Sequence, residues 1–493
     1  MGRRDALLRL SIMAALLLGG AMAPVFAADV KNLSVTVSSG TQANAYGGYT
    51  IEEGASALQN ALTLSGPAKV LGASAGGWSR WGNAEWNTLT IRLDEDGLLG
   101  PSDIVGGGVA ESEGGGAAVH NTMYIESGTV EGTVEGGVAV GINGVGDGTG
   151  DVLSNQVTMS GGTVYSVFGG ETGEGNANDN VVTIKGSAAV TGKSNAVYGG
   201  YTIDGNASGN IVNIEDDADI HGEIMGGYTR AGSLISGNKV NVTGGNVNEN
   251  TVYGVYTAYG DVLDNQAVIK GTGQAGSSDT NSVYAGFTNI GAAAGNILYI
   301  QDSAEIAGSA FAGYQGGFIS SETVERNQVF MSGGSVNGDL TGGGSNNGGE
   351  TLNNYVEITG GTVSGNVYSG FTDSADALEN TLTVAGGRVE GSLFGGYSNT
   401  GTANENKLTF SAGTAGSDAY GGYAQEGADK NEAVLSGTSV LEGNAAGGSS
   451  ARGEASGNSL TIKENSEVKG DAAGGDVYMG TISKNIITIQ YNA

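Results

Sequence analysis

The sequence predicts an all-β fold, a right-handed parallel β-helix (β-solenoid) of about sixteen coils with roughly 28 residues in each. Three observations carry this. An asparagine-led phrase recurs from near the start to the last residues, apolar and polar residues alternate after each asparagine, and glycine pairs follow at fixed offsets. One copy reads Asn155-Gln156-Val157-Thr158-Met159-Ser160-Gly161-Gly162-Thr163-Val164. It returns at Asn354 to Val363 and again at Asn380 to Gly387. The anchors begin at Asn32, Asn60 and Asn87, pass through Asn180 and Asn210, and end at Asn485.

A coil is read from Asn180 to Asn210. Val181 to Ile184 alternate as a first short strand, and Gly186 ends it. Ala189-Val190-Thr191 start a second strand, which stops at Gly192. Ala196-Val197-Tyr198 enter a third, followed by Gly199-Gly200-Tyr201-Thr202. Ile203 to Gly209 form a polar connection back to the next asparagine. A single such coil cannot bury its own apolar side chains, so stability comes from stacking on its neighbours at ~4.8 Å. Sixteen coils would make a rod roughly 75–80 Å long.

Each anchor asparagine is expected to be structural: a turn residue that tolerates left-handed dihedrals and stacks its amide on the next coil. Gly199 and Gly200 are expected to be tight corners where a Cβ has no room. An aromatic column follows those corners at Tyr49, Tyr201, Tyr228, Tyr256, Phe287, Tyr314, Phe371, Tyr397 and Tyr423. Facing inward, it stiffens the core; facing outward, it offers a ladder to sugars or a partner chain. Inward is the expectation.

Composition narrows the function. Asp and Glu total 51 against 20 Lys and Arg, a formal charge of −31, with no basic stripe to reverse the field locally. Such a chain repels phosphate backbones and anionic lipid, so nucleic acid is excluded as a partner. The 93 glycines against 3 prolines look like disorder until their regular spacing is seen. There is no cysteine, which leaves stacked strands in place of disulfides. At the N-terminus, Arg3, Arg4 and Arg9, an apolar core over Leu10 to Ala21, and Val25-Phe26-Ala27 spell a signal peptide over residues 1–27. Residues 28–493 then form a single solenoid domain.

These features together resemble the passenger region of bacterial autotransporters. The signal peptide, the absent cysteine and the Asn-x-apolar-x-apolar, Gly-Gly-Thr-Val and Tyr-Gly-Gly-Tyr-Thr repeats carry the resemblance over the whole mature chain. It implies export from a Gram-negative cell and display at or beyond the outer membrane. Members of that family end in a translocator barrel of amphipathic strands. Here the repeat runs on through Asn485-Ile486-Ile487-Thr488-Ile489 to Ala493, so the translocator is expected to be supplied elsewhere or lost.

No catalytic constellation is expected. His120 and His221 sit at ordinary repeat positions, and no Gly-x-Ser-x-Gly, His-Glu-x-x-His or phosphate-cradling loop occurs. Asp94-Glu95-Asp96 and Glu215-Asp216-Asp217 with Asp219 are read as solvated turns, against the alternative of a polysaccharide lyase or glycosidase site. Gly146 to Asp151 is one lone copy of a calcium-type nonapeptide, which needs tandem repeats to complete a shell. No metal or cofactor is expected. The local irregularity is Trp78-Ser79-Arg80-Trp81-Gly82-Asn83-Ala84-Glu85-Trp86, near long connections at Gly106 to His120 and Gly137 to Ser154. Trp78, Arg80, Trp81 and Trp86 are the candidate ligand-binding residues, for a host glycan or surface protein; the competing reading is a cap on the first coils. The expected function is that of an adhesin or structural surface protein, with a β-helical polysaccharide-degrading enzyme as the alternative.

Overall fold

A computed structural model describes residues 29–490, apart from 101–103, 112–114, 142–147, 194–195, 249, 277–280, 318–320 and 347. The expected signal peptide over residues 1–27 lies outside the described residues. Among those described, every regular element is a strand. The strands pair in parallel as a β-solenoid of about 16 turns, about 27 residues apart. The chain divides into two units, Met1–Arg230 and Ala231–Ala493, built from the same kind of coil.

In the first unit, Val181–Ile184 pairs residue for residue with Gln156–Met159 one coil before and Ile211–Ile214 one coil after. Val182 and Ile184 point inward and are fully buried, while Val181 and Thr183 alternate outward. Ala189–Val190 and Val197–Thr202 pair with their counterparts in the same way. The second unit repeats this at Tyr355–Ile358, Thr362–Val363 and Val367–Thr372.

Four strands, not three, make up a coil. The polar connection holds an extra two-residue strand just before the asparagine, as at Ala84–Glu85, Ala118–Val119 and Ala177–Asn178. Its inward residue is usually a fully buried alanine, Ala84, Ala118 and Ala177 among them. Two residues are too short to show alternation in a sequence.

The left-handed position belongs to the residue before the asparagine. Gln59, Asp179 and Asn353 have φ of 55°, 57° and 54°, whereas Asn60, Asn180 and Asn354 are buried at the start of the strand. Asn60 donates its backbone N–H to Asn87 Oδ1 at 3.0 Å, and its Nδ2 bonds the same oxygen at 3.1 Å and Val30 O at 3.0 Å. Asn121, Asn155, Asn180 and Asn210 continue this ladder in the first unit. Asn354 and Asn380 lie in the second unit's ladder, which ends at Asn485.

Asn32 is displaced from it by one residue. Val30 and Lys31 lie opposite Ala57 and Leu58, so exposed Asn32 (φ 56°) matches Gln59. Leu33 takes the ladder position, its N–H donating to Asn60 Oδ1.

The glycine pairs are of two kinds. Gly162 and Gly361, after the asparagine-led strands, have φ of 82° and 90° and are the expected tight corners. Gly199 and Gly200 lie inside the strand Val197–Thr202 and turn no corner. A Cβ on Gly200 would stand 2.5 Å from Asn210 Nδ2 and 2.6 Å from Ala177 O. Glycine is required there because the asparagine ladder presses against the strand.

Candidate functional site: an aromatic groove on the outer face

The strand Val197–Thr202 shows how the groove is built. Val197 is fully buried, and Thr202 turns its hydroxyl to the carbonyls of Gly173 and Gly175 at 3.1 and 2.8 Å. Gly200 faces the asparagine ladder. Tyr201, the next residue, lies on the opposite side, and a break in the alternation at Gly199, which the inter-coil registers skip, returns Tyr198 to that same side, with the two rings 5.4 Å apart, edge to face. The inward orientation expected from sequence is corrected by this arrangement: the aromatic column lies outside the asparagine-lined interior.

Because coils are in register, each position becomes a column. In the first unit Phe168 stacks on Tyr198 at 4.8 Å and 8°, and Tyr201 on Tyr228 at 4.8 Å and 5°. In the second unit Tyr253, Tyr284 and Phe311 stack at 5.3 and 5.0 Å beside Tyr256 and Phe287 at 5.0 Å. Further along that unit, Tyr368, Phe394 and Tyr420 run beside Phe371, Tyr397 and Tyr423. Sequence reasoning found the outer column and missed the deeper one. Its signal was present as a second aromatic three residues before the first.

The deeper rings form the floor: Tyr198, Tyr284 and Phe311 are buried, whereas Tyr201, Tyr228, Tyr397 and Tyr423 are half-buried along the open side. Burial pushes the Tyr201 and Tyr314 phenols up to about 12, and Tyr198 and Tyr368 further. These phenols stay protonated at neutral pH and present neutral hydroxyls. Ring faces are occupied by neighbouring rings, so the groove offers edges and hydroxyls to a partner. Tyr256 Oη accepts from Asn289 Nδ2 at 3.2 Å, and Tyr420 Oη donates to Asp418 Oδ2 at 3.1 Å.

The tryptophans do not form one patch. Trp78 occupies an outer-column position, packs edge-on to Tyr46 at 5.4 Å and donates its indole N–H to Glu111 Oε1 at 2.8 Å. Arg80 approaches the same carboxylate at 3.7 Å and lies 5.8 Å from the Trp81 ring centre. Trp78, Arg80 and Trp81 are thus linked through Glu111. Trp86 is elsewhere, at a left-handed position with φ 57°, exposed and stacked on His120 at 4.2 Å. It is not part of the groove, because Trp86 precedes the anchor Asn87 and so stands on the turn ridge.

Acidic side chains mostly serve turns. Asp216 accepts the Gly186 N–H of the preceding coil at 3.2 Å, Asp94 accepts that of Asp96 at 3.0 Å, and Asp219 pairs with His221 at 3.0 Å on the surface. Asp151 bonds the Asn176 N–H at 2.9 Å; residues 146–147 of the calcium-type stretch lie outside the described residues. Among the described residues no group of three His, Cys, Asp or Glu is placed to hold a metal ion. Two acids lie on adjacent coils of the first unit, Glu135 opposite Phe168 and Glu171 opposite Val138, and burial pushes the Glu171 carboxyl up to about 7. No known protein family matches the sequence, no curated protein matches it, and no solved structure matches the fold.

Proposed function

We propose that this protein is an exported, surface-displayed β-solenoid of the autotransporter-passenger type, working as an adhesin or structural surface protein. The aromatic groove of each unit is its contact surface, and a host glycan or surface protein is its partner. One observation carries the reading: on the outer side of successive coils a column of half-buried rings, Tyr201 and Tyr228 in the first unit and Tyr397 and Tyr423 in the second, stacks beside a largely buried one. Repetition of one weak site coil after coil supports avidity.

The polysaccharide-degrading alternative gains little from Glu135 and Glu171. A glycosidase holds its two carboxyls roughly 5–9.5 Å apart around a sugar that both reach, whereas Glu135 is 1% exposed and closed off from such a substrate. The test is a glycan array and cell-binding assay of residues 28–493, with Tyr201→Ser and Tyr397→Ser variants, beside a lyase and hydrolase screen. Binding that weakens in the variants is expected. Turnover without binding would overturn the proposal.

A further inference from the structure

In the second unit, the aromatic groove over the strands Val367–Thr372, Leu393–Ser398 and Ala419–Ala424 is edged by acid. These strands are in register, which sets Tyr368, Phe394 and Tyr420 in one file and Phe371, Tyr397 and Tyr423 in the next. Asp418, two residues before Tyr420, stands on one rim, and its Oδ2 accepts from the Tyr420 hydroxyl at 3.1 Å. Asp373, two residues after Phe371, stands on the other rim, and its Oδ1 accepts from Asn399 Nδ2 of the next coil at 2.8 Å. The file of Phe371, Tyr397 and Tyr423 continues through Ser449 to exposed Asp476.

Among the described residues, the ion pairs of this stretch are Arg388 with Glu390, Lys430 with Glu405 and Lys469 with Glu442, and none includes Asp373, Asp418 or Asp476. Arg452 follows the strand Ala445–Ser450, whose residues in the two files are Ala446 and Ser449, so it flanks a rung without rings. The first unit differs at the same place in the coil. Arg80 and Arg230 stand where Asp373 does, just past the strand, each donating its backbone N–H to the preceding coil. They are matched by Glu111 at 3.7 Å and Asp204 at 2.9 Å. Burial keeps the Tyr368, Tyr397 and Tyr420 phenols protonated, so they add oxygen acceptors to the acidic groove and no charge.

Resting on the reading of the groove as the contact surface, we propose that this stretch of it takes an extended basic segment of a partner protein, with lysine or arginine at intervals along it. From the coil of Asp373 to that of Asp476 is four steps, roughly 19 Å at ~4.8 Å a coil, the reach of about six extended residues. Lysine and arginine stems lie over the half-buried rings while their heads reach the carboxylates and the phenol oxygens. A neutral glycan would cover the rings and leave three carboxylates without counter-charge. An acidic glycan would be repelled by them and by the formal charge of −31. Charge complementarity therefore selects the basic peptide.

Fluorescence anisotropy of residues 28–493 with a labelled decapeptide of alternating alanine and lysine, beside its glutamate counterpart, tests this at about 0.15 M salt. The lysine peptide is expected to bind, and the glutamate peptide is not. Asp373→Asn with Asp476→Asn should weaken binding roughly tenfold, the worth of two exposed ion pairs. Glu305→Gln with Glu432→Gln removes the same charge from exposed positions on the second and first strands of other coils, and should change it less than about twofold. Asp476→Asn alone gives the same reading, at roughly threefold, if the aspartate pair lacks wild-type circular dichroism. Equal weakening in both pairs, or no binding of the lysine peptide, overturns the proposal. Loss of cell binding in Tyr397→Ser with the lysine peptide unbound would retain the groove as the contact surface and remove only its basic partner.

Discussion

Replacing one rung of the asparagine ladder should cost far more than replacing an asparagine one residue off it. Asn380 is fully buried, and its Oδ1 accepts both the N–H and the Nδ2 of Asn354 at 3.0 Å. Its Nδ2 donates to Thr351 O at 2.9 Å and Asn406 Oδ1 at 3.1 Å. In Asn380→Ala, Asn354 Nδ2 keeps Val324 O, and Asn406 Oδ1 keeps the Asn380 N–H. The Asn354 N–H and the Thr351 carbonyl are left buried and unpaired, at about 1–3 kcal/mol each, so a loss of about 4 kcal/mol is expected. Asn32 is the control: exposed, at φ 56°, it accepts glycine without strain, and Asn32→Gly should change stability by under about 0.5 kcal/mol. A repeat array need not unfold in one step, so the measurement is local hydrogen exchange along each unit, supported by guanidinium unfolding. If Asn380→Ala costs no more than Asn32→Gly, the ladder is decorative and the account of the coil fails.

Gly200→Ala drives a methyl into the Asn210 amide and the Ala177 carbonyl, neither free to move, and should destabilise the first unit by about 2–3 kcal/mol in the same unfolding assay. Gly54→Ala, with open space around it and φ 73°, should cost only about 1 kcal/mol. Trp78→Ala removes a buried ring and the indole partner of Glu111, for a loss of about 3–5 kcal/mol. Trp86→Asn, on the exposed turn ridge with left-handed dihedrals that asparagine tolerates, should leave both stability and binding unchanged, whereas Arg80→Ala should weaken binding.

What the sequence made legible follows from what repeats. Alternation over Val181 to Ile184, the following glycine and the returning asparagine each recur at one offset, and recurrence alone identifies stacked parallel strands. Position within the coil was harder to read. Asn32 looks like an anchor by type and neighbourhood, and only pairing with Ala57 and Leu58 shows that Leu33 holds the rung. Gly161-Gly162 and Gly199-Gly200 are identical as letters. They part because one pair meets a turn and the other meets the side chain of Asn210. The aromatic orientation is set by the same contact. Once the ladder claims the inner side at Gly200, Tyr201 is turned outward whatever its hydrophobicity. Glu135 and Glu171 were beyond reach for a different reason. They belong to non-equivalent positions of successive coils, so no periodicity relates them, and their placement on adjacent coils follows only from the registers of Glu135 to Phe168 and Val138 to Glu171. A repeat reports what every coil shares. Chemistry particular to one coil arises where a residue departs from its column, and the two acids in a file of aromatic and valine side chains are such a departure.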